Sequence, residues 1–249
     1  MTNLLPMSAI LLAASVMAAP AQAQDGWGFA ADVGLGADYG PDWMGSDERD
    51  ASPWVIFRNV DLTRPGQALT RDGSADGLAI SPSFAYRAAR DADDSPALAG
   101  LPDIDAAGEL GAQLKYSLGN GFGYVAARKG FGGHEGIVGE VGAKYRFSPS
   151  ERLTLWAGAE AGFGNEEFVD RYFGVASADP LVPGHAPDGG IYSHALSLEG
   201  RYALTDSLAV LGEARYTELT GDAADAPFIQ DTAQPSVRLG LVHRFNFRF

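Results

Sequence analysis

Strict alternation of apolar and polar residues over ten or more positions is the feature of this chain that most limits its fold. A period of two puts successive side chains on opposite faces, as in a β-strand, and almost no i, i+3, i+4 spacing competes with it. Trp27, Phe29, Ala31, Val33, Leu35, Ala37 and Tyr39 share one face, and Gly28, Ala30, Asp32, Gly34, Gly36 and Asp38 share the other. The same division separates Leu153, Leu155, Ala157, Ala159, Ala161 and Phe163 from Arg152, Thr154, Trp156, Gly158, Glu160 and Gly162. Leu196, Leu198, Tyr202 and Leu204 oppose Ser197, Glu199, Arg201 and Ala203, and Val237 to Phe249 repeats the pattern at the C-terminal end. Strands of a soluble sandwich run about 5–6 residues and bring aliphatic faces together. Here one face is glycine and mixed charge, and the other is an apolar band that ends in aromatics. Lipid outside and a polar lumen inside account for both faces. Strands satisfy all their backbone groups in a bilayer only as a closed barrel, so the sequence predicts an all-β, closed antiparallel transmembrane β-barrel.

The first residues read differently. Ile10 to Ala19 is a short apolar run closed by Pro20, and Ala21-Gln22-Ala23 supplies the small-x-small pattern of a signal-peptidase site. A signal peptide over residues 1–23 and a barrel domain over 24–249 are the expected organisation. Met1 to Met7 carries no Lys or Arg, which departs from the usual basic start. The apolar run is too short for a membrane-spanning helix, which needs about 20 residues.

Both ends of such a barrel lie on the periplasmic side, so strands come in even number, with short inner turns and long outer loops. Strands are expected near 27–39, 77–88, 107–118, 122–129, 136–147, 151–164, 190–204, 207–218 and 237–249. Parity makes Pro53 to Arg71 a tenth, long strand bulged at Pro65-Gly66; twelve strands require another one hidden in a loop. Glycine, at 32 of 249 residues, is about twice its usual share and makes room on the inner face for long side chains.

Charge is distributed unevenly. With 18 Lys plus Arg against 32 Asp plus Glu the net charge is -14, which argues against a nucleic-acid ligand. The outer segments 40–52, 88–105, 165–189 and 219–236 account for all of it. They are expected to form a solvated, mutually repelling surface, with cation bridging to lipopolysaccharide phosphates as the alternative. Asp91-x-Asp93-Asp94 lacks the glycine and terminal Glu of an EF-hand loop. The barrel proper is nearly neutral, and Glu160, Glu199, Arg201, Glu213 and Arg215 are expected to form a charge ladder in the lumen. If the Thr205-Asp206 turn sets the register, Arg201 falls beside Glu213 and Glu199 beside Arg215. Paired charges across a narrow lumen would close it, which disfavours a general porin.

No catalytic, cofactor-binding or metal site is expected. Zero cysteines exclude disulfides, thiolate metal sites and thiol nucleophiles. Ser193 and His194 are adjacent in a strand and so point to opposite faces. His243 lies on the lipid-facing parity, and His134 and His185 fall in loops, where His185 could meet Asp188 or Asp222. Phe249, with Phe245 and Phe247, resembles the terminal aromatic signal by which outer-membrane barrels are recognised for assembly.

Five segments carry a more specific likeness. They are Tyr39 to Asp47 (YGPDWMGSD), Gly100 to Asp105 (GLPDID) with Gly108 to Gly111 (GELG), Tyr172 to Val175 (YFGV), and Leu219 to Pro227 (LTGDAADAP). In this order they resemble the MltA-interacting protein family, also called MipA/OmpV, over nearly the whole chain after residue 24. Trp43 stands where Tyr is commoner, and Ala226 where Ser tends to precede Pro. The resemblance implies an outer-membrane barrel, bathed in lipid and lipopolysaccharide, that acts as a non-enzymatic scaffold for a lytic transglycosylase and a murein synthase. It brings no catalytic residues. A narrow solute channel or a surface adhesin is the alternative.

Overall fold

The structure is a computed structural model that describes residues 26–63, 76–176 and 184–249. The expected signal peptide and the Pro65-Gly66 bulge lie outside the described residues. Ten antiparallel strands form one sheet: β1 (Gly28–Pro41), β2 (Arg49–Thr63), β3 (Gly77–Arg87), β4 (Ala107–Leu118), β5 (Gly121–Gly132), β6 (Ile137–Phe147), β7 (Leu153–Gly164), β8 (Gly190–Ala203), β9 (Leu208–Leu219) and β10 (Ala233–Arg248). The count among the described residues is ten, not twelve. Their spatial order is β2-β1-β10-β9-β8-β7-β6-β5-β4-β3, so the first and last strands of the chain are laddered together. The sheet curls until its two outermost strands meet. β2 and β3 share no ladder among the described residues, and the Phe57 and Phe84 rings meet edge-on at 5.8 Å.

Alternation in the sequence becomes alternation in exposure. Leu35, Val55, Ile80, Leu110, Leu196 and Leu239 point outward and are exposed, while the intervening Asp32, Glu109, Arg128, Glu199 and Arg244 are buried. A soluble protein would reverse this arrangement; in lipid it buries the apolar face against acyl chains. The two prolines inside the strands at the open edge, Pro53 in β2 and Pro82 in β3, fit positions where one ladder is missing, because proline has no N–H to donate.

β2 corrects one expectation. It starts at Arg49 rather than Pro53 and is described to Thr63, so the connection from β1 is short. The bulge in this pair falls between Ala30 and Asp32, where Asn59 of β2 adopts φ 50°. Asn tolerates that left-handed conformation, and its side chain compensates by donating to Asp32 Oδ2 at 2.8 Å.

The segment after β7 corrects another. A helix, α1 (Glu166–Phe173), occupies the first part of the 165–189 loop. Asn165 caps it by accepting from the Phe168 N–H at 3.1 Å, and Glu166 and Glu167 sit in its first turn. Phe168, Val169, Tyr172 and Phe173 form its buried face.

Candidate functional site: a filled lumen beneath a folded cap

Several inward-facing ionic groups are paired along the lumen. On the inner half Asp32 accepts from Arg244 at 3.1 Å. Glu199 takes Arg58 at 2.7 Å and Lys144 at 3.4 Å. Glu160 accepts from both Arg215 and the Tyr124 hydroxyl. Asp38 accepts from Arg238 at 2.6 Å, and Arg238 also stands 4.0 Å from Glu213. Nearer the outer end, Glu109 lies between Arg87 and Arg128, and Arg128 reaches Glu140 at 3.2 Å and Ser83 at 3.0 Å.

An apolar cluster, the plug, lies among these pairs on the inner face of β2, β9 and β10. Ile56, Ala209, Leu211 and Val242 are buried together inside the wall, with Trp54 against them. Glycine makes the space: a Cβ on Gly240 would lie 2.7 Å from Ile56 Cδ1, and one on Gly34 would collide with the Leu241 carbonyl.

The expected ladder residues separate on inspection. β8 and β9 pair with Glu199 opposite Glu213, Ser197 opposite Arg215 and Arg201 opposite Leu211. The expected Arg201–Glu213 and Glu199–Arg215 pairs are therefore wrong, because the register is two residues away from the one that makes them. Two facing carboxylates are tolerated because each draws a cation from another strand: Glu199 from β2 and β6, Glu213 from β10. Arg201 is half-buried, and its side chain makes no hydrogen bond or ion pair among the described residues. Phe245, Phe247 and Phe249 lie along the outer face of β10 and its end. Phe245 and Phe247 stack at 6.2 Å, and the Phe249 N–H donates to the Trp27 carbonyl at 3.0 Å. Arg58, Arg87, Tyr124 and His134 were missing from the expected set. A period of two gives a residue's face, but no signal in it names a partner across a lumen.

Above the lumen the outer segments keep their carboxylates exposed, as expected, but fold over an apolar core that the sequence reading did not include. Trp43, Leu98, Ile104, Phe168, Phe173 and Phe228 come from four separate segments and share one apolar core. The carboxylates remain outside. Asp42 is held above its usual carboxylate value by partial burial and by Asp94, Asp50 and Glu48 nearby. Arg90 crosses into the core, donates to the Tyr172 carbonyl at 2.9 Å and lies 5.2 Å from the Phe228 ring centroid. Burial brings its guanidinium down to about 10.

Cap and wall meet at Arg87. Its guanidinium stands 4.7 Å from the Phe168 ring and 5.6 Å from the Tyr172 ring, and it donates to the Tyr192 hydroxyl at 3.4 Å. The other histidines are not arranged for acid–base work. His185 Nε2 contacts the Asp222 backbone carbonyl at 2.8 Å rather than a carboxylate, Ser193 is buried while His194 faces outward, and His243 packs on Phe245 at 4.6 Å. Among the described residues no group of three His, Asp or Glu side chains is placed to hold a metal.

Ten antiparallel strands with an apolar outer belt and an ionic lumen define an outer-membrane β-barrel. The family described as MltA-interacting protein MipA matches residues 33–245, and the chain belongs to that family. The MltA-interacting proteins of Escherichia coli K12 and Shigella flexneri are each 27% identical to it over 113 residues. That match covers 44% of this chain and 45% of theirs, so it spans less than half the length of the curated relatives. Similar solved structures include an outer membrane channel from Pseudomonas putida F1, with 15% identity, a TM-score of 0.44 and coverage of 92% and 100% of the two chains. The NanC porin has 9% identity, a TM-score of 0.40 and coverage of 86% and 98%.

Proposed function

We propose that this chain is a non-enzymatic docking protein of the outer membrane that holds a lytic transglycosylase, and with it a murein synthase, close to the membrane. Family membership over residues 33–245 and the name of the relatives, MltA-interacting protein, support the partner class. The observation that carries the non-channel half of the reading is the lumen: ionic pairs at several levels, an apolar plug and a folded cap leave little for a solute to pass through. The described inner turns, Gly119-Asn120, 148–152 and 204–207, are short. A stable interface needs about 800 Å² on each partner, so the barrel rim has to contribute with the turns.

Crosslinking of intact envelopes followed by purification of the barrel tests this. Recovery of a transglycosylase is the expected result; recovery of neither enzyme removes the reading. The folded acidic cap favours a second reading, a surface adhesin. Loss of surface binding on excision of 165–189 with an intact barrel would support it.

A further inference from the structure

Several elements converge on one imidazole at the junction of cap and wall. His134, on the 133–136 connection between β5 and β6, has a fully buried side chain. Its Nε2 stands 3.3 Å from Glu109 Oε1, yet neither ring nitrogen makes a well-formed hydrogen bond. Phe168 and Tyr172 of α1 close on the ring edge-on, at 5.2 and 5.5 Å. Gly130 in β5 lies so close beneath that any Cβ there would collide with the imidazole.

The groups facing the ring are Glu109 from β4, Arg87 from β3, and Glu167 and Tyr172 from α1. Arg128 from β5 and Glu140 from β6 stand one step behind, Arg128 through Glu109. Glu109 is already shared by two guanidinium groups. A proton on His134 would therefore place a third cation around one carboxylate, in a site closed to water, where an uncompensated charge is most costly.

We propose that His134 is an acid-sensitive latch: the neutral imidazole lets α1 lie down on the barrel, and its protonation releases the cap from the outer mouth. The cap moves rather than the wall because of how each is fastened. β3, β4 and β5 are tied by continuous ladders, whereas α1 is held by side-chain packing and by single contacts: Arg171 to the Gly133 and Asp103 carbonyls at 2.9 and 3.2 Å, Arg90 to the Tyr172 carbonyl, Asn165 to the Ile137 N–H, and the exposed Lys129–Glu167 pair at 3.9 Å. Lifting α1 brings water to the imidazolium and to the Arg87 guanidinium beside it, which Phe168 and Tyr172 otherwise cover.

The direction in pH follows from the environment. Burial holds the imidazole below its ordinary value, against the pull of Glu109 and with the push of Arg87. A depressed histidine favours the folded cap above the ordinary value of about 6.5 and loses that advantage as pH falls through the depressed one. The outer mouth is therefore closed at neutral pH and opened by acid.

The chain has no cysteine, so Val169→Cys places a single thiol on the buried face of α1. Its maleimide labelling in the full-length barrel, divided by that of Asp93→Cys on the exposed surface, removes the thiol's own pH dependence. The relative rate is expected to rise roughly tenfold or more between about pH 7.5 and pH 5, and to stay within about twofold when His134→Gln is added. A rate that does not rise, or a rise that persists with His134→Gln, overturns the latch. Histidine-selective NMR on the Val169→Cys chain adds a check that needs no second variant. The titration midpoint of His134 has to coincide with the labelling midpoint, and separate midpoints overturn the proposal equally.

Discussion

Glu199 is the residue whose surroundings are most demanding. It is 2% exposed, faces Glu213 in the ladder, and is held by Arg58 and Lys144 from strands on either side. Removing a buried partner strands the charges left behind, at a cost of about 3–5 kcal/mol. Glu199→Ala is expected to lower the melting temperature of the detergent-solubilised barrel more than Glu213→Ala, whose Arg238 keeps Asp38, and both more than Asp91→Ala on the exposed cap. Arg201→Ala, which breaks no hydrogen bond or ion pair among the described residues, is expected to stay within about 0.5 kcal/mol of the parent. A large loss from Arg201→Ala, or none from Glu199→Ala, in the same thermal series would show that the lumen pairs are misassigned. Residue facing was legible in the alternation around Glu199 and Arg201, but pairing was not. A two-residue difference in register leaves every side chain on its face and changes each neighbour.

At the scale of elements, α1 is the piece that turns loops into a cap. Its signals stand in the sequence: Asn165 before Glu166 and Glu167, then Phe168 and Tyr172 four apart. Eight helical residues among Gly- and Pro-rich segments read as part of a loop, and the apolar residues they pack against, such as Trp43 and Phe228, are remote in the chain. Phe168 is fully buried in that core, and Phe168→Ala is expected to cost the cap about 3–5 kcal/mol. Protease should then cut within 165–189 while the barrel's own melting is little changed. Asn165→Ala removes both the cap to Phe168 and the acceptor for the Ile137 N–H at 2.8 Å, and a loss of about 1 kcal/mol or more is expected. Unaltered proteolysis in both variants would mean that α1 does not organise the cap. The wall strands needed no such remote information, because alternation along β7 or β10 states the facing of each residue locally.

For the whole molecule the strand count was readable from parity, whereas the plug and the cap arise only from the curvature that brings distant strands and loops together. With both in place, planar-bilayer recording of the full-length barrel near neutral pH is expected to show no steady conductance. A stable open level would contradict the pairing of Glu160, Glu199 and Glu109 across the lumen. β2 and β3 share no ladder among the described residues, so the chain could be rewired between them. Read from β3, the sheet is an unbroken meander through β10, then β1, then β2, and only the covalent order interrupts it. The first and last described residues are neighbours, since the Phe249 N–H donates to the Trp27 carbonyl. A circular permutant that joins Phe249 to Gly26 and opens the chain between β2 and β3 would place its new ends where the described strands have no ladder to lose. It is expected to fold with heat-modifiable mobility like the parent, whereas a permutant opened between β7 and β8 would lose the covalent connection that carries α1.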